Sequence, residues 1–244
     1  MELAPWLIVA AVFVGLSKSA APGASMVSIA IFAAVLPVKE STGTLLLLLL
    51  IGDVIAIRMF RRTANRDMLR RLAPAVFPGI ILGAVFVHLA DAALFTRVIG
   101  ILILALVALH LATRDRREQL AGHDAPGAGH AVTISAGAIA GFTSMVANAG
   151  GPVMTLYLLR AGLGIHEFLG TSAWFFFLVN LTKLPFSLGL GLLDIDALLL
   201  ALALAPAILI GALIGRRIIE RISKRQFESL VLGLAVIAAL KLVL

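Results

Sequence analysis

Two long apolar runs in this chain are broken in the middle by residues that a membrane helix avoids. The run over residues 4–36 contains Gly15-Leu16-Ser17-Lys18-Ser19-Ala20-Ala21-Pro22-Gly23-Ala24-Ser25, and the run over 131–160 contains Asn148-Ala149-Gly150-Gly151-Pro152. Each is too apolar to be a loop in water and too interrupted to be one continuous helix. Non-helical backbone at membrane depth persists only where protein or a water-filled cavity satisfies it. Two interrupted apolar segments at matching places in the two halves of a chain point to a transporter binding site.

The rest of the chain is apolar enough to make this a membrane question. Of 244 residues, 61% are hydrophobic and 14% charged, against roughly 25% charged in soluble domains. Apolar segments run over 4–36, 42–60, 72–90, 93–112, 131–160, 168–190, 195–214 and 227–244. No stretch is left for a soluble domain, because the longest polar run is only Arg114 to Gly129. The net charge of +7 lies in short loops, so it reads as an orientation signal and not as a nucleic-acid surface. With no cysteine, thiolate metal sites and thiol nucleophiles are excluded. No Lys or Arg precedes Lys18, so a cleaved signal peptide with a basic start is not expected.

The second four segments repeat the first four. At an offset of 127, Glu40 meets Glu167, Gly43 meets Gly170, Thr44 meets Thr171 and Asp53 meets Asn180; at a slightly larger offset Pro78 and Gly83 meet Pro206 and Gly211. The loops Arg58–Arg71, Arg114–Arg117 and Arg216–Arg225 hold 14 of the 20 Lys and Arg, which places all three in the cytoplasm. Five apolar segments separate the first loop from the third, so one of the five does not cross. The broken 131–160 run is the natural one, entering, turning at Asn148–Pro152 and returning, with each arm about half a bilayer span. The expected fold is therefore an all-α polytopic membrane protein of eight hydropathy segments. It has two inverted repeats, each a re-entrant helical hairpin plus three transmembrane helices. Residues 1–112 form the first repeat, 113–130 a cytoplasmic linker and 131–244 the second repeat, in one integral membrane domain.

At these residues the chain resembles the sulfite exporter TauE/SafE family. The likeness is carried by the broken first segment, by Gly141-Phe142-Thr143-Ser144 through Asn148-Ala149-Gly150-Gly151-Pro152, and by the Gly170-Thr171-Ser172 start of the next helix. It covers nearly the whole chain. It implies a multi-pass protein of the bacterial inner membrane, a secondary transporter and not an enzyme. The implied cargo is a small anion such as sulfite, sulfoacetate or a related organosulfonate, with export and proton coupling expected. The first break carries Lys18 and paired serines where many members are richer in glycine, which suggests a more strongly charged anion site.

An anion in a bilayer needs donors and positive potential. The return arms starting near Pro22-Gly23 and Gly151-Pro152 offer free N–H groups and the positive end of the helix dipole. Ser17, Ser19, Ser25, Thr143, Ser144, Asn148, Thr171 and Ser172 can donate hydrogen bonds, Gly23, Gly150 and Gly151 let an anion approach the backbone, and Lys18 and Lys183 supply charge. Asn180 shares a helix face with Lys183, which completes the candidate substrate-binding set. Asp53, central in 42–60, suits either a charge partner for Lys18 or a proton carrier.

Each reading has a plainer rival. Serines and threonines in membrane helices commonly bond within or between helices, and small residues commonly serve packing. Lys183, seven residues from Leu190, is near enough to the interface to snorkel. Trp174 and Phe175 to Phe177 read first as packing aromatics and second as a cavity wall. The five histidines lie near loops without metal spacing, so neither cofactor nor metal is expected. The expected partners are a small anion and the lipid bilayer, with no nucleic acid; a homodimer is left open. Two other classes remain as alternatives. The Pro22-Gly23-Ala24-Ser25 turn loosely resembles that of an intramembrane lipid-pyrophosphate phosphatase, but no Glu-x-x-x-Glu lies in a membrane segment. A passive anion channel is opposed only by the broken-hairpin design.

Overall fold

The computed structural model of the protein describes residues 4–19, 24–60, 62–112, 130–161, 163 and 165–218. Among them the regular structure is α-helical: α1 (Ala4–Ser19), α2 (Ser25–Val35), α3 (Val38–Phe60), α4 (Arg66–Leu89), α5 (Ala92–Ala112), α6 (His130–Ala147), α7 (Gly151–Arg160), α8 (Ile165–Gly189) and α9 (Ile195–Ile218). The apolar segment 227–244, most of the 113–130 linker and Gly23 lie outside the described residues. Among the described residues three helices are long and apolar enough to cross a membrane, over Lys39–Phe60, Arg66–Leu89 and Ile195–Arg217, with shorter apolar helices beside them.

Both broken runs fold back on themselves. In the first, the Ser28 hydroxyl on α2 donates to the Ala10 carbonyl on α1 at 2.8 Å. In the second, Thr133 on α6 and Tyr157 on α7 share a hydrogen bond of 3.0 Å, which a continuous helix would place some 36 Å apart at about 1.5 Å per residue. The turn is built around Asn148, whose φ of 54° is left-handed. Its N–H bonds the Ser144 carbonyl at 3.0 Å, the bond that closes a helix with a left-handed cap. Next to it, a side chain on Gly150 would press on the Ala140 carbonyl oxygen and Ser144 Cβ, at 2.8 and 3.2 Å from its Cβ. Equal half-span arms are not what forms: α6 has 18 residues and α7 has 10, about 27 Å and 15 Å of helix. Asn148 sits late in the run, and the turn falls where a residue tolerates positive φ.

Several helices begin earlier than their apolar segments. α4 starts at Arg66, not near 72, because Asn65 caps it: its side chain accepts the Met68 N–H at 3.0 Å, and Asp67 stands in the first turn. Arg66, Arg70 and Arg71 are therefore helical.

The long arm of each hairpin packs on a spanning helix, α1 on α9 and α6 on α4. Small residues make this possible. A Cβ on Gly15 would overlap the Ile208 carbonyl, and one on Gly211 the Val12 carbonyl; on the other side a Cβ on Gly141 would overlap the Val76 carbonyl and one on Gly79 the Ala138 carbonyl. Between these pairs α3 and α8 run antiparallel. The Thr63 hydroxyl after α3 reaches the His166 carbonyl at the start of α8 at 2.6 Å, and Gly43 near the start of α3 abuts Leu192 just after α8. Midway, the Asn180 side-chain amide donates to Asp53 at 2.7 Å.

Candidate functional site

The α3–α8 crossing carries a buried polar chain. Lys18 Nζ lies 2.6 Å from Asp53 Oδ1. Asn180 Nδ2 donates to the other carboxylate oxygen at 2.7 Å, and Asn180 Oδ1 faces Lys183 Nζ at 3.4 Å. Lys183 Nζ donates to Asn148 Oδ1 at 2.6 Å and Ser144 Oγ at 3.2 Å. Asn148 in turn donates to the Thr42 carbonyl at 3.1 Å. Two residues that an offset of 127 pairs in the sequence thus touch each other, and a lysine stands on either side of them.

Local sequence explains each placement. Lys18 is in the last turn of α1, where a cation suits the helix C-terminus. Gly52, beside Asp53, leaves space for its stem, since a Cβ there would stand 3.1 Å from Lys18 Cγ. Its ammonium lies 5.0 Å from the centre of the Phe176 ring, a cation–π distance. Lys18 keeps 10% of its side chain exposed whereas Asp53 has none, so a solute meets the lysine first. Asp53 Oδ1 has Lys18 as its one polar contact among the described residues. Lys183 is 1% exposed and does not snorkel.

A narrow cavity of about 40 Å³ opens beside this chain. Ser17 and Lys18 of α1, Ser25 of α2, Ser144, Asn148 and Gly151 of the second hairpin, and Asn180 all line it. Ser25 and Gly151 are the first residues of α2 and α7, so both return arms begin at its wall. Along α8 the lining runs Leu169, Ser172, Ala173, Phe176, Asn180, one helix face from the N-terminal end to the middle. Asp53 and Lys183 sit behind this wall.

Other candidates are engaged elsewhere. The Ser17 hydroxyl lines the cavity but bonds the Val14 carbonyl at 2.7 Å, and Ser19 bonds the Gly15 carbonyl at 3.2 Å. Thr143 bonds the Ile139 carbonyl at 2.8 Å. The Thr171 hydroxyl accepts the Asn65 N–H at 2.9 Å, and its neighbour Ser172 reaches the cavity instead. Gly150 serves the hairpin turn. Gly23 lies outside the described residues. Phe176, read from the sequence first as a packing aromatic and second as a cavity wall, is cavity wall and cation platform; its spacing of four from Asn180 was the signal for the second reading. No group of metal-ligating side chains occurs among the described residues.

Against known proteins, the family model described as Sulfite exporter TauE/SafE matches residues 7–242. Comparisons with curated proteins and with solved structures find no match. A match over nearly the whole chain agrees with its apolar helices, paired hairpins and buried charges, and on it the chain belongs to the sulfite exporter TauE/SafE family of membrane transporters.

Proposed function

We propose that this protein is a secondary carrier exporting a small sulfur oxyanion, such as sulfite, sulfoacetate or a related organosulfonate, with its transport coupled to protons. The reading rests above all on Lys18: an ammonium at the cavity wall whose counter-ion, Asp53, is fully buried behind it. An anion entering the cavity takes the Lys18 charge, helped by the helix starts at Ser25 and Gly151 and by amide and hydroxyl donors from Asn148, Asn180 and Ser144. Charge-assisted bonds of this kind are roughly twice as strong as neutral ones. Asp53, released from Lys18, then takes a proton, and its Oδ1 has no competing hydrogen bond among the described residues.

The two-repeat plan supports alternating access. Residues 1–112 and 131–244 form inverted repeats around the Asp53–Asn180 contact, joined by a cytoplasmic linker over 113–130. The antiparallel course of α3 and α8, the matching α1–α9 and α6–α4 pairs and the two hairpins favour this plan. With the arginine-rich loop inside, the cavity runs along α8 toward its cytoplasmic end, as an exporter waiting for cargo requires. The protein sits in the bacterial inner membrane, as a monomer or a homodimer.

Proteoliposomes holding the purified protein test the reading. Sulfite or sulfoacetate flux against its gradient, driven by a pH difference, is the expected result. Flux only down the gradient would indicate a channel, and phosphate release from a lipid pyrophosphate would indicate an enzyme.

A further inference from the structure

Lys183 is the buried group that the carrier reading leaves over. Its Nζ donates to three oxygens, on Ser144, Asn148 and Asn180, which matches the three N–H bonds of an ammonium. All three partners are neutral, and among the described residues no carboxylate pairs with it. The nearest acid, Asp53, faces Lys18 from α1 and the Asn180 amide from α8. Asn180 separates the two systems: its N–H points to the carboxylate and its oxygen to Lys183. The residue 127 positions earlier is Ala56, which lines the same cavity, so the second charge belongs to one half only.

We propose that Lys183 sets the charge of the cargo: its ammonium adds one positive charge to the site, and only the bound anion balances it. Ser144, Asn148 and Asn180 each touch Lys183 and each line the cavity, so the charge acts from one side chain behind the wall. A purely structural role, tying the hairpin turn to α8, explains the hydrogen bonds but gives no reason to place an ionisable group there, since burying an ammonium without a carboxylate is costly. This inference rests on the carrier reading above.

With both lysines and Asp53 ionised, the empty site holds one net positive charge. A singly charged anion neutralises it with no proton. A doubly charged anion neutralises it once Asp53 has taken one proton. Lys183 therefore decides how many protons accompany each class of cargo.

Sulfate and methanesulfonate test this, because both are compact sulfur oxyanions, they differ by one charge, and neither titrates near neutral pH. Binding of each to the full-length protein in detergent is measured by calorimetry in buffers of different ionisation enthalpy, which counts protons taken up. The parent should take up about one proton with sulfate and about none with methanesulfonate. Lys183→Met removes the charge. Asn148→Asp cancels it while keeping the lysine and the shape of its 2.6 Å partner, and it decides the matter if Lys183→Met does not fold. Either variant should take up about one proton with methanesulfonate and bind sulfate at least about tenfold more weakly, roughly 1.4 kcal/mol. Parent protein that binds both probes, with proton counts that neither variant changes, overturns this inference alone. Parent protein that binds neither overturns the carrier reading as well.

Discussion

The two hairpins share a scaffold and differ in chemistry. In each, a long arm packs through glycine on a spanning helix and a short arm begins at the cavity wall. The first brings an ammonium, Lys18, close to a carboxylate on α3. The second brings a neutral amide, Asn148, to an ammonium on α8. At the centre the same asymmetry repeats, with Asp53 on α3 and Asn180 on α8. Packing is therefore symmetric while charge is not. A binding site needs only matching walls on both sides, but a proton needs one carboxylate. On the proposed carrier reading, that division would give coupling to the first half and the second charge to the other.

Removing the central asymmetry should have the largest effect. Asp53→Asn makes the two halves alike at their contact. Flux driven by a pH difference should be abolished, while exchange of labelled sulfite between the two sides persists. The double swap Asp53→Asn with Asn180→Asp moves the acid to within reach of Lys183 and should restore part of the proton-driven flux. Full proton-driven transport by Asp53→Asn would reduce Asp53 to a structural anchor.

The symmetric part is tested at the glycines. Gly141→Leu drives a side chain into the Val76 carbonyl region, and Gly15→Leu into that of Ile208. Both meet backbone, which cannot rotate away, so each should cost about 3 kcal/mol, the upper part of the usual range for overpacking. Thermal melting in detergent would show comparable losses. A protein that tolerates one substitution and not the other would end the claim that the two hairpins pack alike.

Much of this plan was legible because a membrane makes rules visible in sequence. That both apolar runs break follows from the glycine, proline and polar residues inside them. The partnership of Lys18 with Asp53 was readable because few other charges occur at that depth. The offset of 127 paired Asp53 with Asn180, although not the fact that they touch, since repeat pairing alone does not say where a symmetry axis passes. Lys183 looked free to snorkel because distance along a helix says nothing of which face is covered; Asn148 and Ser144, from another segment, cover it. Thr171 looked like a ligand at a helix start, yet the α3–α4 loop takes its hydroxyl. Ser17 and Ser19 turned back to their own helix, as serines within helices commonly do. The misses at Lys183 and Thr171 are tertiary contacts between segments far apart in the chain.

A smaller effect is expected for anion binding at the first hairpin. Lys18→Ala removes the one ammonium that lines the cavity among the described residues. Losing a hydrogen bond to a charged group costs about 1.5–3 kcal/mol, or roughly ten- to hundredfold in affinity. Sulfite titration of protein that still melts like the parent measures it. Unchanged affinity would move the anion to the second hairpin, and with it the difference on which the comparison depends.

The smallest expected effect lies at the two loops that join α3 to α4 and α8 to α9. Asn65 caps α4 through Met68 N–H at 3.0 Å, and Asp194 caps α9 through Ala197 N–H at 2.7 Å. Losing either cap to alanine should cost about 1 kcal/mol. Asn65 does more, because its amide also donates to Glu167 on α8 at 2.8 Å, while no such side-chain contact to α3 is seen for Asp194 among the described residues. Asn65→Ala should therefore lose about 1 kcal/mol beyond the cap, and Asp194→Ala should not. Asn65→Asp separates the two contributions, since it keeps the capping oxygen but sets a second carboxylate against Glu167. Its melting point should fall below that of the parent, and the deficit should shrink when Glu167 is changed to Gln. Equal losses at Asn65 and Asp194, with no rescue by Glu167→Gln, would show that the two loops hold their helices in the same way, leaving buried charge as the sole difference between the halves.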